Sequence, residues 1–431
     1  DPAGGTNAAF TNVPTGESMQ PFYGSSTSGI SHTFNFGQDS SFGGLHATAN
    51  SNADGNGHGS FAYAPPSGYL ALCSQNLPDA AITDGTENFN TVLYTGDGAS
   101  SKSITGVGFS PDWVWAKNRV SAYDHALMDS VRGASAAYLS SNNTASESTY
   151  GNSYGSLTSF DSDGFSVAEG TDGTYPDAAF NQSSEAYVAW NWLAGTAFSN
   201  DASATSVGNV DSSGQVNTTA GFSIVSWQYT TSADNLIAHG LSSAPEMIIL
   251  KSRTTAYNWD VYHSGLSAAS KRLKLNSSDA EVAGFFDTAP TSTVFEYNTS
   301  GASNNDNMIA YCFHSVEGYC KVGGFSGNNA TTFVHTGFRV AWLMIKNVNE
   351  GSGADWGMFD NTRPDGTGAT SGVKFLQADI TNAEGNSGTV SCFFFSNGFE
   401  IGTSNTMSNK SGDNFIYLAF ADQPFKFANA R

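Results

Sequence analysis

Pro111-Asp112-Trp113-Val114-Trp115-Ala116-Lys117-Asn118-Arg119 recurs twice more along the chain in altered form. The second copy is Pro245-Glu246-Met247-Ile248-Ile249-Leu250-Lys251-Ser252-Arg253, and the third is Val340-Ala341-Trp342-Leu343-Met344-Ile345-Lys346-Asn347-Val348. Each is an apolar run of strand length that ends at a lysine, as a strand does on leaving a core. A second shared segment follows each run. It reads Asp124-His125-Ala126-Leu127-Met128-Asp129, then Asn258-Trp259-Asp260-Val261-Tyr262-His263, then Asp355-Trp356-Gly357-Met358-Phe359-Asp360. A strand and turn precede each run: Leu93 to Gly98, Ser226 to Thr231 and Gly324 to Asn329. Each copy closes on an aromatic strand: Tyr187 to Trp192, Met308 to Phe313 and Phe415 to Phe420.

A fixed order of features repeated three times is the signature of an internal repeat. The spacing between the first two lysines is the longer one. The Ser/Asn/Gly-rich loop around Asn142 to Ser156 and the linker around Asn200 to Ser213 absorb it. The expected fold is all-β, with tandem β-sandwich (jelly-roll-like) domains in three internal repeats. The repeats are placed at 88–195, 216–317 and 318–431, with a linker at 196–215. A copy of ~100 residues is long enough for its own sandwich core. Alternation in Phe222-Ser223-Ile224-Val225-Ser226-Trp227 supports strands. Asp163-Gly164 and Asn397-Gly398 fall between apolar runs and predict hairpin turns of the primed type. Short helical turns are expected only near Ser264 to Ser270.

The polarity of this chain is carried by hydroxyls and amides. Charged residues are only 13%, about half the usual share. Aromatic residues are also 13%, which excludes a disordered polar tract. Seventeen Lys+Arg against 38 Asp+Glu give a net charge of −21. That balance argues against nucleic-acid binding, which needs clustered cations, and against an anionic membrane surface. No apolar run approaches the ~20 residues of a membrane helix. The chain opens Asp1-Pro2-Ala3-Gly4-Gly5 without an initiator Met, so its start is expected to arise by processing or to lie inside a longer product.

Candidate chemistry is sparse. The eight histidines (His32, His46, His58, His125, His239, His263, His314 and His335) show no HExxH or HxH spacing. His125 holds the repeat position of Trp259 and Trp356, and His263 that of Asp129 and Asp360. Residues so interchangeable read as packing or surface residues. A glycosidase would need two carboxylates across a cleft. Asp129 and Asp360 are the repeat-equivalent candidates, but His263 breaks the set. Asp161-Ser162-Asp163-Gly164 and Asp97-Gly98 resemble pieces of calcium loops without the full oxygen set, and read as turns. Asn-x-Ser/Thr sites, Asn142 and Asn329 among them, are expected by chance in so Asn/Ser/Thr-rich a chain. Cys73, Cys312, Cys320 and Cys392 do not make a disulfide framework, and no CxxC pair supports zinc. Cys312 and Cys320 could pair, though both read better as buried thiols. No catalytic, metal or cofactor site is therefore expected. Aromatic faces are the best binding signal, since they stack on sugar rings or anchor interfaces. Six of the eight tryptophans sit in repeat strands. Trp259 and Trp356, each preceded by a polar residue, are the candidates for a ligand-facing ring.

Upstream lies a different region. The segment Asp1 to Phe10, ending at Phe34-Asn35-Phe36-Gly37-Gln38, resembles the last part of a SPRY (concanavalin-like) β-sandwich. Residues 1–45 are assigned to those terminal strands and 46–87 to an extended connector. The stretch from Pro65 to Ile82, with Gly68-Tyr69-Leu70-Ala71-Leu72-Cys73 and Asn76-Leu77-Pro78, is similar to the tail that follows such domains in bacteriophage structural proteins. The repeats resemble an uncharacterised β-rich domain of marine phage virion proteins. Gly108-Phe109-Ser110-Pro111 with Trp115, Asp129-Ser130-Val131-Arg132-Gly133, Ala310 to Ser315, and Pro424 to Arg431 carry that likeness. Only the last strands of a SPRY sandwich are present, so the rest was cleaved away or these strands pair with something else. The resemblance implies a non-enzymatic virion component on the particle surface, in a tail fibre or spike or as a capsid decoration, serving host adhesion. Its expected partners are other virion proteins, copies of itself and a host-surface glycan or protein. A self-assembling structural subunit without a ligand is the alternative, and a polysaccharide depolymerase the third reading.

Overall fold

The computed structural model describes residues 34–45, 51–134, 137–147, 152–231, 234–299, 301–363, 374–386, 390–402 and 405–426. The chain divides into two compact units, Asp1–Asp79 and Ala80–Arg431. In the first, Asp54 is the hub. Its carboxylate accepts the backbone N–H groups of Asn56, His58 and Ala71 and the side-chain amide of Asn76. The connector also returns to the phenylalanine run: Leu72 N–H donates to the Phe36 carbonyl and Ser60 N–H to that of Gly37. The expected strands before residue 34 lie outside the described residues.

The second unit is all-β. Its first repeat holds β1 (Phe89–Thr95), β2 (Ser101–Thr105), β3 (Trp113–Asn118), β4 (Ala126–Asp129), β5 (Ser156–Asp161), β6 (Gly164–Ala168) and β7 (Ala186–Trp192). Next come β8 (Thr196–Asn200), β9 (Ser212–Asn217), β10 (Phe222–Gln228), β11 (Leu236–Ala238), β12 (Met247–Ser252), β13 (Asp260–His263), β14 (Lys271–Lys274), β15 (Val282–Ala283), β16 (Val294–Glu296) and β17 (Asn307–Phe313). The third repeat holds β18 (Cys320–Ser326), β19 (Thr332–His335), β20 (Phe338–Asn347), β21 (Gly357–Asp360), β22 (Lys374–Gln377), β23 (Gly385–Asn386), β24 (Ser391–Phe395), β25 (Gly398–Gly402) and β26 (Asn414–Pro424).

One antiparallel plan recurs three times. The main sheets run β1-β7-β3-β4, β10-β17-β12-β13-β14-β15 and β18-β26-β20-β21-β22-β23, and the second repeat adds β9 and β8 outside β10. A smaller sheet accompanies each: β2-β6-β5, β11-β16 and β19-β25-β24. The register is also shared. Lys117 pairs with Val188, Lys251 with Ile309 and Lys346 with Ile416, each lysine being the penultimate residue of its strand.

The central strands of each main sheet are buried on both faces, which is why they read as unbroken apolar runs. One face of β3 packs Val114 and Ala116 toward Phe165 and Val167 of the small sheet. The other face carries Trp113 and Trp115 into a core that draws residues from all three repeats. There Trp113 stacks on Tyr311 at 4.2 Å, Trp192 meets Trp342 at 5.5 Å, and Phe313 meets Phe420 at 5.9 Å. Burying each such ring contributes roughly 1.5–3 kcal/mol.

Two local expectations are corrected. The hairpins are present one residue earlier: Ser162-Asp163 joins β5 to β6 and Ser396-Asn397 joins β24 to β25. None of these four residues has positive φ, so the turns are not primed; Gly164 instead opens β6 at φ 145°. A Cβ there would meet the Ile104 carbonyl at 2.0 Å, which accounts for the glycine. Residues 264–270 run as turns without helix, and a one-turn helix, Ala202–Thr205, lies in the linker, capped by Asp201. All four cysteines are free thiols, with Cys312 and Cys320 buried.

Candidate functional site

Trp259 and Trp356 do not face a ligand, because both rings are buried in the body. The Trp259 indole N–H donates to the Ser140 carbonyl of the first repeat at 2.8 Å. Trp356 donates to the Lys274 carbonyl of the second repeat at 2.9 Å. His125, at the same repeat position, accepts Trp115 Nε1–H on Nδ1 (2.9 Å) and so presents Nε2–H to the Gln377 carbonyl of the third repeat (3.0 Å). Burial holds its pKa well below the ordinary histidine value, so the ring is neutral. The three bonds run from repeat 2 to 1, from 3 to 2 and from 1 to 3. They close a cycle.

A second cycle uses the candidate carboxylates. Tyr311 of repeat 2 donates its hydroxyl to Asp129 at 2.8 Å, and Trp190 of repeat 1 donates Nε1–H to Asp360 at 3.0 Å. By register the third member of that strand position is Leu418, which has no donor. The receiving position is then His263, whose ring reaches the Tyr417 carbonyl at 3.2 Å. Asp129 is further held by Arg132 and Asp360 by Arg363, each three residues on, with all four side chains buried. In repeat 2 that later position is Leu266. So His263 breaks the carboxylate set where its partner is apolar.

A backbone cycle completes the joint. The N–H groups of Glu147, Glu281 and Glu384 donate to the carbonyls of Arg253, Val348 and Arg119, each at 2.9 Å. The Arg253–Glu147 and Arg119–Glu384 ion pairs reinforce two of the three.

The three lysines are sealed in. Lys251 Nζ donates to the carbonyls of Thr144, Ser252 and Thr255, and Lys346 to those of Ser278 and Asn347. Lys117 donates to those of Asn118 and Ser121. Burial brings each ammonium pKa down to about 8, opposed by nearby carboxylates such as Asp124, Asp260 and Asp379. The carboxylates of the calcium-like fragments serve turns. Asp163 accepts the N–H groups of Gly106 and Gly108, and Asp97 pairs with Lys102. Among the described residues no group of three His, Cys, Asp or Glu side chains could hold a metal.

Concave surfaces remain elsewhere. A groove of about 740 Å³ lies in repeat 2, lined by the added strands β8 and β9 with the segment between them and by β10, β17 and adjoining turns of the common plan. It is lined by Asn200, Asp211, Ser213, Gln228, Asn305 and neighbours, next to the core residues Trp227 and Tyr229. The Trp227 indole N–H is buried without a hydrogen-bond partner. This groove offers many amide, hydroxyl and carboxylate groups, the chemistry that holds a polyol. Sequence reading missed it because its lining is drawn from separate stretches, 199–213 and 226–230 with Asn305 and Asn307, that meet only in the fold. The only signal was the polar composition of the preceding linker.

A comparison with curated proteins finds no match. Residues 84–424 match a family described as a domain of unknown function, DUF7483, and with most of its length inside that match the chain belongs to the DUF7483 family.

Proposed function

We propose that this protein is a non-enzymatic virion component, displayed on the particle and serving adhesion to the host surface. The groove of repeat 2 is the observation that carries the reading. About half of its lining comes from β8, β9 and the segment between them, which the main sheets of the other repeats lack, and binding residues concentrate on such loops and edges of a rigid scaffold. Its hydroxyl and amide lining suits a carbohydrate, and weak contacts multiply when many copies are displayed. The SPRY-like and phage-like segments and the acidic, low-charge surface support the same reading.

The test is binding of the purified protein to an array of bacterial surface polysaccharides. Gln228 and Asn305 line the groove and are exposed; Asn305 holds φ 69°, where alanine costs about 1–2 kcal/mol, so the double variant Gln228→Ala/Asn305→Ala is used with its fold confirmed by circular dichroism. It is expected to lose at least tenfold in affinity for whichever glycan binds. Equal binding by variant and wild type removes the groove from the adhesive role.

A second reading is a self-assembling structural subunit. It is favoured by the outer face of the small sheet in repeat 3. Phe333, Phe393 and Phe395 are 47%, 39% and 38% exposed there, with Phe333 and Phe395 in edge contact at 6.0 Å. An exposed aromatic patch of this kind marks an interaction surface.

A further inference from the structure

Repeat 1 contains a pocket that the adhesive reading does not use. Its volume is about 300 Å³, and four of its lining residues are tyrosines: Tyr123, Tyr138, Tyr154 and Tyr175. Among the described residues Asp124 is its one charged lining group, and the others are Ala122, Ala178 and Ala179. Tyr138 is buried and forms the floor, held in edge contact with Phe180 at 6.1 Å. Tyr175 is 48% exposed and forms the rim, with its ring 6.1 Å from that of Tyr123 and tilted by 55°. The rim is positioned by the Asp172 turn, whose carboxylate accepts Tyr175 N–H at 2.7 Å. The Ala179 N–H, donating to the Tyr154 carbonyl at 3.0 Å, ties the following residues to the opposite wall.

The carboxylate is oriented by neutral partners. Asn142 Nδ2 donates to Asp124 Oδ1 at 2.6 Å, and Asn143 Nδ2 to Oδ2 at 3.2 Å. Both leave its charge in place. The Lys117 ammonium, which feels Asp124 and Glu185, is turned to the Asn118 and Ser121 carbonyls. Two carboxylates against one ammonium leave the region negative.

The geometry points to this pocket as an aromatic cage for a quaternary ammonium group of the choline class. The negative faces of phenol rings attract a cation, most strongly when it is already poorly hydrated. A trimethylammonium head satisfies that condition. Its methyl groups also fit an alanine wall, where a compact ammonium ion would forfeit its water. A sugar fits less well, because its hydroxyls need several directed partners and the single carboxylate already accepts two amides. The net charge of −21 raises the local concentration of any cation near the surface.

Choline chloride is the probe, titrated calorimetrically and by saturation-transfer NMR, with glucose and ammonium chloride as controls. Saturable binding of choline, with neither control competing, is the expected result. Tyr175→Ala at the exposed rim should weaken it at least tenfold, while Tyr175→Phe, which keeps the ring face, should stay within about threefold. Asp124→Asn should weaken it several-fold. Phosphatidylcholine vesicles separate the sources: co-sedimentation that Tyr175→Ala abolishes assigns a surface-borne headgroup, and choline binding without co-sedimentation assigns a soluble one. Choline binding that Tyr175→Ala leaves unchanged, or that glucose or ammonium matches, overturns the cage. Gln228→Ala/Asn305→Ala should not alter choline binding, so failure of the groove and failure of the cage are separable.

Discussion

In two of the three repeats an asparagine receives the backbone N–H of the joint residue: Asn142 takes that of His125 at 2.9 Å, and Asn276 that of Trp259 at 2.8 Å. Each then donates its amide to a neighbouring oxygen, of Asp124 or Asn258. The third repeat places Asp379 there, accepting Trp356 N–H at 3.0 Å and facing Asp355. Two carboxylates cannot make the amide's bond unless one holds a proton, and Asp379 Oδ2 is otherwise buried without a partner. Burial, aided by the Asp355 charge, pushes the Asp379 carboxyl up to about 7. The folded chain thus binds a proton between pH 4 and 7 that the unfolded chain releases, and this contribution to stability is lost as pH rises through 7. Asp379→Asn restores the bond of the other repeats. It should raise stability at pH 8 on the order of 1–3 kcal/mol and do little at pH 5; urea unfolding at the two pH values reads the difference. The same comparison explains why Trp259 and Trp356 were misread. Their polar predecessors suggest a surface in the sequence, but Asn258 accepts the Asn276 amide and Asp355 that of Gln377, and the indoles behind them are buried.

The lysine-ending strands were legible because an apolar run that closes on a cation is a local pattern. What the cation does was not, since its partners lie as far as 107 residues away, as Thr144 does from Lys251. The unbroken apolar character of β3, β12 and β20 does not say that both faces are covered by different layers, or which repeat covers the second. Turn residues were placed in the right loops, yet one position late, because sterics at Ile104 rather than turn type fix Gly164. The buried ammoniums give a pH signature of opposite sign to that of Asp379. Between pH 8 and 10.5 the unfolded chain holds a proton that the folded one has released from Lys251, so this group's contribution rises with pH. Lys251→Met keeps the length and removes the titration. The stability gap between wild type and variant should therefore move toward wild type by about 1–3 kcal/mol from pH 8 to 10. Cysteines and tyrosines titrate alike in both proteins and cancel. A gap independent of pH over that range would show that the ammonium is not desolvated.

Three repeats could have formed three independent sandwiches, and their length of ~100 residues permits it. The cyclic joints argue otherwise. Each repeat donates to the one before it, the first donates to the third, and all contribute aromatic rings to one core. Residues 84–424 are therefore expected to unfold in one cooperative transition by calorimetry, and residues 216–317 alone should show no cooperative unfolding. Separate transitions for separate repeats would mean that the shared core contributes little. The ring has a further property. Gly85, at the entry to β1, lies so close to β26 that an added Cβ would stand 2.0 Å from the Ala421 carbonyl, and Phe89 stacks on Phe420 at 5.2 Å. Where the polypeptide enters this body it also leaves it. No repeat is first in any structural sense, and the order in which synthesis delivers them is a convention of the gene. A circularly permuted form of residues 84–424, opened in the linker between β8 and β9 and sealed between Asp84 and Pro424, would meet the same neighbours in the same places. The linker itself is where a foreign module could be inserted without unthreading the ring.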